Sequence, residues 1–187
     1  MSAGLSRFLT TAALLLPALA ACTGPGASVS SEDYAVAYDY TEFRAQADGK
    51  EFPVAIFGNP FPEFSSQDTA RRLLPVMQAN KPRPRLTFTL DRQSPYRLVL
   101  VFDPASDVSA AKACTGAAHT VSPLAGRIVL FAVYCRNDLP LSQAIGRATA
   151  ARPDDPAMGR LFSELFQTVF PDGQISQPNP GYPGGLR

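Results

Sequence analysis

The chain carries one histidine, His119, and only three cysteines, Cys22, Cys114 and Cys135. A structural zinc site takes four ligands, so a Cys/His site built on Cys114 and His119 falls short of donors. The same scarcity leaves the serines and carboxylates without a histidine relay. No G-x-S-x-G elbow, P-loop, H-E-x-x-H pair or dinucleotide fingerprint occurs. No catalytic residue, metal or cofactor is therefore expected. An excess of one charge is missing as well: 17 basic against 16 acidic residues give a net charge of +1. Arg7 is the only charged residue before position 22, so the remainder is neutral, which removes the electrostatic case for nucleic acid. Long apolar runs are also scarce. Beyond the first 21 residues the longest is Ile128 to Cys135, far short of the ~20 residues a membrane-spanning helix needs.

Residues 1–21 combine the Arg7 cation with an apolar run from Phe8 to Ala21, broken by Thr10, Thr11 and Pro17. This pattern reads as an export signal and not as a membrane span. At its end, Leu19-Ala20-Ala21-Cys22 resembles the lipobox of bacterial lipoproteins at all four positions. The resemblance implies that Cys22 becomes an acylated N-terminus. Several acyl chains, each burying methylenes at about 0.8 kcal/mol apiece, anchor far more firmly than one. Thr23, in place of the aspartate that marks inner-membrane retention in such lipoproteins, implies an outer-membrane anchor facing the periplasm. The alternative is an ordinary cleaved signal with an accidental cysteine.

Residues 22–33 are small and polar and read as a lipidated end with a flexible tether, whose eleven residues after Cys22 span roughly 18 Å root-mean-square. At the other end, residues 171–187 hold four prolines and four glycines and read as a mobile tail.

Between them, residues 34–170 show no internal repeat and form one domain. Tyr34, Val36, Tyr38 and Tyr40 alternate as in a half-buried strand, and Asp48-Gly49 predicts a hairpin turn into a second strand at Phe52 to Phe57. Pro53 places that second strand near an edge or makes it begin there. Ser65 or Ser66 caps a helix to about Asn80 with Leu73, Leu74 and Met77 inward, which Pro75 kinks or divides. Strands follow at Arg85 to Leu90 and Tyr96 to Phe102. Residues 128–135 are apolar throughout, as in a central strand covered on both faces. Residues 141–150 read as a hairpin strand in preference to a helix, because Gly146 weakens a helix and Arg136-Asn137-Asp138 favours a turn. Asp155 caps a last helix, with Pro156 at its first position and Met158, Leu161, Phe162, Leu165, Phe166 and Val169 on one face. The predicted class is α+β: a mainly antiparallel sheet of about five or six strands against two or three helices.

With Cys22 assigned to lipid, Cys114 and Cys135 are expected to form a disulfide, tying residues 107–116 to the end of the central strand. Asp154 and Asp155 are explained by a helix N-terminus, with acid/base chemistry the lesser alternative. Arg71-Arg72 reads as a solvated helix face. Tyr34, Tyr38 and Tyr40 form one buried stripe or, alternatively, a sugar-stacking surface. Asn59, Pro60 and Phe61, within the segment Gly58 to Pro62, are a candidate recognition loop; the competing reading is a rigid connection with Phe61 in the core. From this segment through the cysteine pair to Asp154-Asp155-Pro156-Ala157-Met158-Gly159-Arg160-Leu161-Phe162, the chain is similar to uncharacterised proteobacterial lipoproteins, which transfers no activity. The resulting expectation is a lipid-anchored, non-catalytic binding or scaffold domain with an envelope protein or the cell wall as partner. The alternative is an envelope hydrolase or small-ligand binder, marked by a deep pocket gathering carboxylates around His119.

Overall fold

Alternation of side chains along the central strands divides the core into two unequal halves. Leu98, Leu100 and Phe102, with Ile128, Leu130, Ala132 and Tyr134, enter the larger cluster, while Val99, Val101, Phe131 and Val133 enter a smaller one on the opposite face. The computed structural model describes residues 26–90 and 94–173, so the expected export signal, Cys22 and residues 174–187 of the expected tail lie outside the described residues.

The elements run β1 (Ala27–Tyr34), α1 (Tyr40–Ala47), β2 (Lys50–Phe57), α2 (Ser66–Ala79), β3 (Leu86–Thr89), β4 (Tyr96–Phe102), α3 (Ala110–Cys114), β5 (Arg127–Arg136), β6 (Leu139–Thr149) and α4 (Pro156–Val169). The sheet order is β1-β6-β5-β4-β2-β3. β1 with β6, β6 with β5, and β5 with β4 are antiparallel, whereas β2 runs parallel to both β3 and β4. The fold is α+β, a mixed and mostly antiparallel sheet. Helices α1, α2 and α4 bury Phe43, Leu73, Met77 and the apolar face of α4 in the larger cluster; α3 buries Ala113 and Cys114 in the smaller.

β4, β5 and α4 lie where their apolar patterns put them, and β6 where the turn chemistry put it. β6 is a strand through Gly146, turned from β5 by Asn137 at φ 53 and Asp138. Asp155 caps α4 by accepting from the Ala157 amide at 2.8 Å. Pro53 marks where the ladder from β2 to β3 stops, at Thr89, and that from β2 to β4 begins, at Val54 and Leu98. α2 is capped by Ser65 and continues through Pro75 as one helix. The carbonyl that Pro75 leaves without its helical partner belongs to Arg71, on the exposed face.

Three expectations are corrected. The tether predicted to reach residue 33 gives way to strand from Ala27 onward. β1 directs Ala27 and Val29 towards the larger core and otherwise pairs through its backbone with β6 from Ser142 to Ala148, which leaves little apolar signature. The hairpin predicted between residues 34–40 and 52–57 is replaced by a strand end, a turn and α1. Asp39 caps α1 by accepting from the Thr41 amide at 2.7 Å, and Asp48-Gly49, with Gly49 at φ 70, joins helix to strand. Helices number four among the described residues: α1 buries only Phe43 and Ala47, and α3 has five residues, so neither carries a strong period.

Candidate functional site

Cys114 at the end of α3 and Cys135 in β5 form a disulfide, S–S 2.02 Å, with both residues fully buried. The Arg97 guanidinium also donates to the Cys114 carbonyl, so α3 is fastened to the sheet by a covalent and a polar link. With both sulfurs committed to each other, neither is available to His119. That histidine is exposed. Its Nε2 lies 3.0 Å from Asp107 Oδ2, which also accepts from Lys112 Nζ at 2.7 Å. The Lys112 and His119 hydrogen bonds hold the Asp107 carboxyl down to about 2. This is a surface ion cluster, and among the described residues no group of three or more His, Cys, Asp or Glu is placed to hold a metal.

The other residues singled out by the sequence have local partners. Asp154 pairs with Arg152 at 3.1 Å, beside the capping Asp155. Arg71 pairs with Asp68, and Arg72 lies 4.7 Å over the Phe64 ring, both arginines on the exposed side of α2. Asn59 closes its own loop: Oδ1 accepts from the Phe61 amide at 3.1 Å and the Thr69 hydroxyl at 2.9 Å, while Nδ2 donates to the Phe64 carbonyl at 2.7 Å. Pro60 is buried and Phe61 is 1% exposed, so this segment packs as a rigid connector. The three tyrosines are not one strand face. Tyr34 donates to the Thr168 carbonyl at 2.7 Å, Tyr38 to that of Pro171 at 3.0 Å and Tyr40 to that of Arg83 at 3.2 Å, so two of them clamp the C-terminal end of α4.

Around Tyr40 the fold builds a concave site that the sequence reading did not assemble. A groove of about 520 Å³ is lined by Tyr40 from α1, Asn80 to Arg83 after α2, and Ser163, Gln167, Phe170, Pro171 and Asp172 along and beyond α4. A second depression continues it past Arg44, Asp48, Pro84 and Arg85. Lys81, Arg83 and Arg85 are exposed at alternate positions, with Pro82 and Pro84 between them, and the Arg83–Pro84 peptide is cis. Pro82 and Pro84 fix φ at their positions, and the chain bends at Arg83 and Pro84. Lys81 Nζ donates to the Leu86 carbonyl at 3.3 Å, and Arg85 lies 3.7 Å from Asp48. The C-terminal ends of α2 and α4 converge here, where the Asn80 amide donates to the Val76 carbonyl at 2.8 Å and the Tyr34 hydroxyl to that of Thr168. The only trace in the sequence is the run Lys81-Pro82-Arg83-Pro84-Arg85, three cations spaced by prolines.

Nearby, Arg136 Nη1 reaches both Glu42 oxygens at 2.9 and 3.0 Å, and the Tyr96 hydroxyl donates to Glu42 Oε1 at 2.6 Å. The Tyr96 and Arg136 hydrogen bonds hold the Glu42 carboxyl below the ordinary carboxylate range despite the opposing cost of burial. The trio fixes α1, and so Tyr40, against β4 and β5.

No family model and no curated protein matches the chain. Among solved structures it is similar to the PelC dodecamer from Paraburkholderia phytofirmans, at TM-score 0.42 and 9% identity, covering 76% of this chain and 96% of that one. A single-substitution variant of the same dodecamer matches at TM-score 0.42 and 10% identity, over the same shares.

Proposed function

We propose that this chain is a lipid-anchored protein of the bacterial cell envelope whose folded domain is a non-catalytic binding or scaffold module. The observation that carries the proposal is the allocation of cysteines. Cys114 and Cys135 form a buried disulfide, which persists in oxidising, exported compartments. The remaining Cys22 stands at the end of the lipobox-like sequence, four residue steps before the first described residue, Gly26. No helix among the described residues is long and apolar enough to cross a membrane, so retention falls to the acyl chains on Cys22. Thr23 directs the anchor to the outer membrane, with the domain in the periplasm.

The binding face in this reading is the groove at Tyr40 and Lys81 to Arg85. It lies at the end of the sheet where β2 begins and β5 finishes, opposite the end where β1 begins. An anchor before β1 therefore turns the groove away from the bilayer. Its exposed cations and Tyr40 suit an anionic or hydroxyl-rich envelope partner. Metabolic labelling with radiolabelled palmitate, comparing the native chain with Cys22→Ser, tests the anchor: label on the first and none on the second is expected. Photo-crosslinkers placed at Arg83 and at Arg152, at the opposite end, test the face. Capture of one envelope component from Arg83 alone supports the assignment, whereas equal capture from both positions, or none, counts against it.

A further inference from the structure

The end of the domain at which β1 begins is built from strand and loop ends linked by backbone hydrogen bonds. The Thr149 amide donates to the Gly26 carbonyl at 3.0 Å, and the Ala150 amide to that of Gly126 at 3.0 Å. The Arg127 amide donates to the Leu124 carbonyl at 2.9 Å. Gly26 is therefore coupled, through β6, to the loop that precedes β5. That loop carries no charged residue from Thr120 to Gly126, and Val121 and Leu124 are 55% and 59% exposed. It is held in place: the Val121 amide donates to the Asp103 carbonyl at 2.9 Å, and Thr120 bridges to Pro104. Two arginines flank its base, Arg127 and Arg147, which line one shallow depression together with Gly26.

Carboxylates at this end are engaged elsewhere. Asp107 faces Lys112, Asp154 faces Arg152, Asp155 caps α4, and Asp103 is turned to the Val129 amide at 3.4 Å. The loop thus presents apolar side chains rimmed by two guanidinium groups, Arg147 donating to the Ser30 hydroxyl at 3.1 Å and Arg127 acting on the Asp103 carboxyl, the composition of an interfacial membrane contact.

Chain length identifies the occupant. Four residue steps separate Cys22 from Gly26, and covalent geometry limits them to roughly 14 Å. If Cys22 is acylated, as proposed above and on which this inference rests, Gly26 is confined within that distance of the headgroups, and the end of the domain it belongs to faces them. We infer that the loop from Thr120 to Gly126 is a second membrane contact, with Val121 and Leu124 entering the interface of a phospholipid bilayer and Arg127 and Arg147 meeting lipid phosphates. The acyl anchor and the loop together hold the domain in one orientation, with the groove outward.

The test uses the full-length lipoprotein bearing either Leu124→Cys or Val36→Cys, labelled on its free thiol with an environment-sensitive fluorophore. The protein is reconstituted into phosphatidylethanolamine–phosphatidylglycerol vesicles doped with nitroxide lipid. Both sites are exposed, Val36 at 85%, so folding is kept and is checked by an unchanged melting temperature. Val36 follows the far end of β1 and serves as the water reference. Blue-shifted, nitroxide-quenched emission at position 124 alone is the expected result. Palmitate incorporation with position 124 as wet as position 36 overturns the loop contact and leaves the anchor standing. A wet position 124 in vesicles that is protected in cells also overturns it, assigning the loop to a protein. Failure to incorporate palmitate overturns the anchor and the loop contact together.

Discussion

Reduction of the Cys114–Cys135 bond is the perturbation whose outcome the structure defines most closely. The bond closes a loop with a sequence separation of 21, for which chain entropy lost by the unfolded state amounts to about 3 kcal/mol. Both cysteines are fully buried among Ala55, Val99, Val101, Ala113, Phe131 and Val133, so reduction keeps most native contacts and acts mainly by releasing the unfolded chain. For a domain of this size each kcal/mol is worth about 2–4 °C, giving a fall in Tm of roughly 6–12 °C. Differential scanning calorimetry with and without a phosphine reductant reads this shift, and urea unfolding of the reduced protein should show a larger m-value as the unfolded state expands. Five residues are too few for an autonomous helix, so amide exchange should accelerate first in α3, from Ala110 to Cys114. An unchanged Tm, or loss of protection spread evenly over the sheet, would refute the reasoning.

Gly146→Ala places a Cβ 2.5 Å from Leu161 Cδ1 and 3.1 Å from Leu165 Cδ1, where α4 lies closely on β6. It should cost about 1–3 kcal/mol by chemical denaturation, with partial recovery when combined with Leu161→Val. Phe61→Ala should cost about 3–5 kcal/mol, because the ring is buried in the larger core; a small stability change with lost crosslinking would instead make it a recognition residue. Glu42→Gln should lower Tm at neutral pH and flatten its acid dependence. The depressed Glu42 pKa stabilises the fold above the ordinary carboxylate range, and this contribution is lost as pH falls through the lowered value. Thermal melts across the acid range check this: the two proteins should converge at low pH, and a constant gap would contradict it.

What could be read in the sequence was what repeats within one element. The apolar alternation of β4, the continuous run of β5 and the three-and-four spacing of α4 each report burial by that element alone. The disulfide followed from the fewness of cysteines. β1 escaped because an edge strand of alanine, valine and serine gains most of its stability from main-chain pairing, which side chains do not advertise. Tyr34, Tyr38 and Tyr40 misled because with Val36 they alternate as in a strand, whereas here each tyrosine hydroxyl seeks a carbonyl in another segment. The groove escaped for a related reason. Tyr40, Lys81 to Arg83, and Ser163 to Asp172 are far apart in the chain and become neighbours only when α1, α2 and α4 share one face.

The pairing of Ala27 with Ala148 joins residues separated by 121 positions. Vectorial folding as the chain emerges cannot complete this sheet, because the first strand to appear waits for the last. Until β6 forms, β1 has no partner and the free side of β5 stays open, an edge ready to accept a strand from another molecule. A variant that slows the formation of β6 should therefore be lost to aggregation during biogenesis, even where the finished protein is stable.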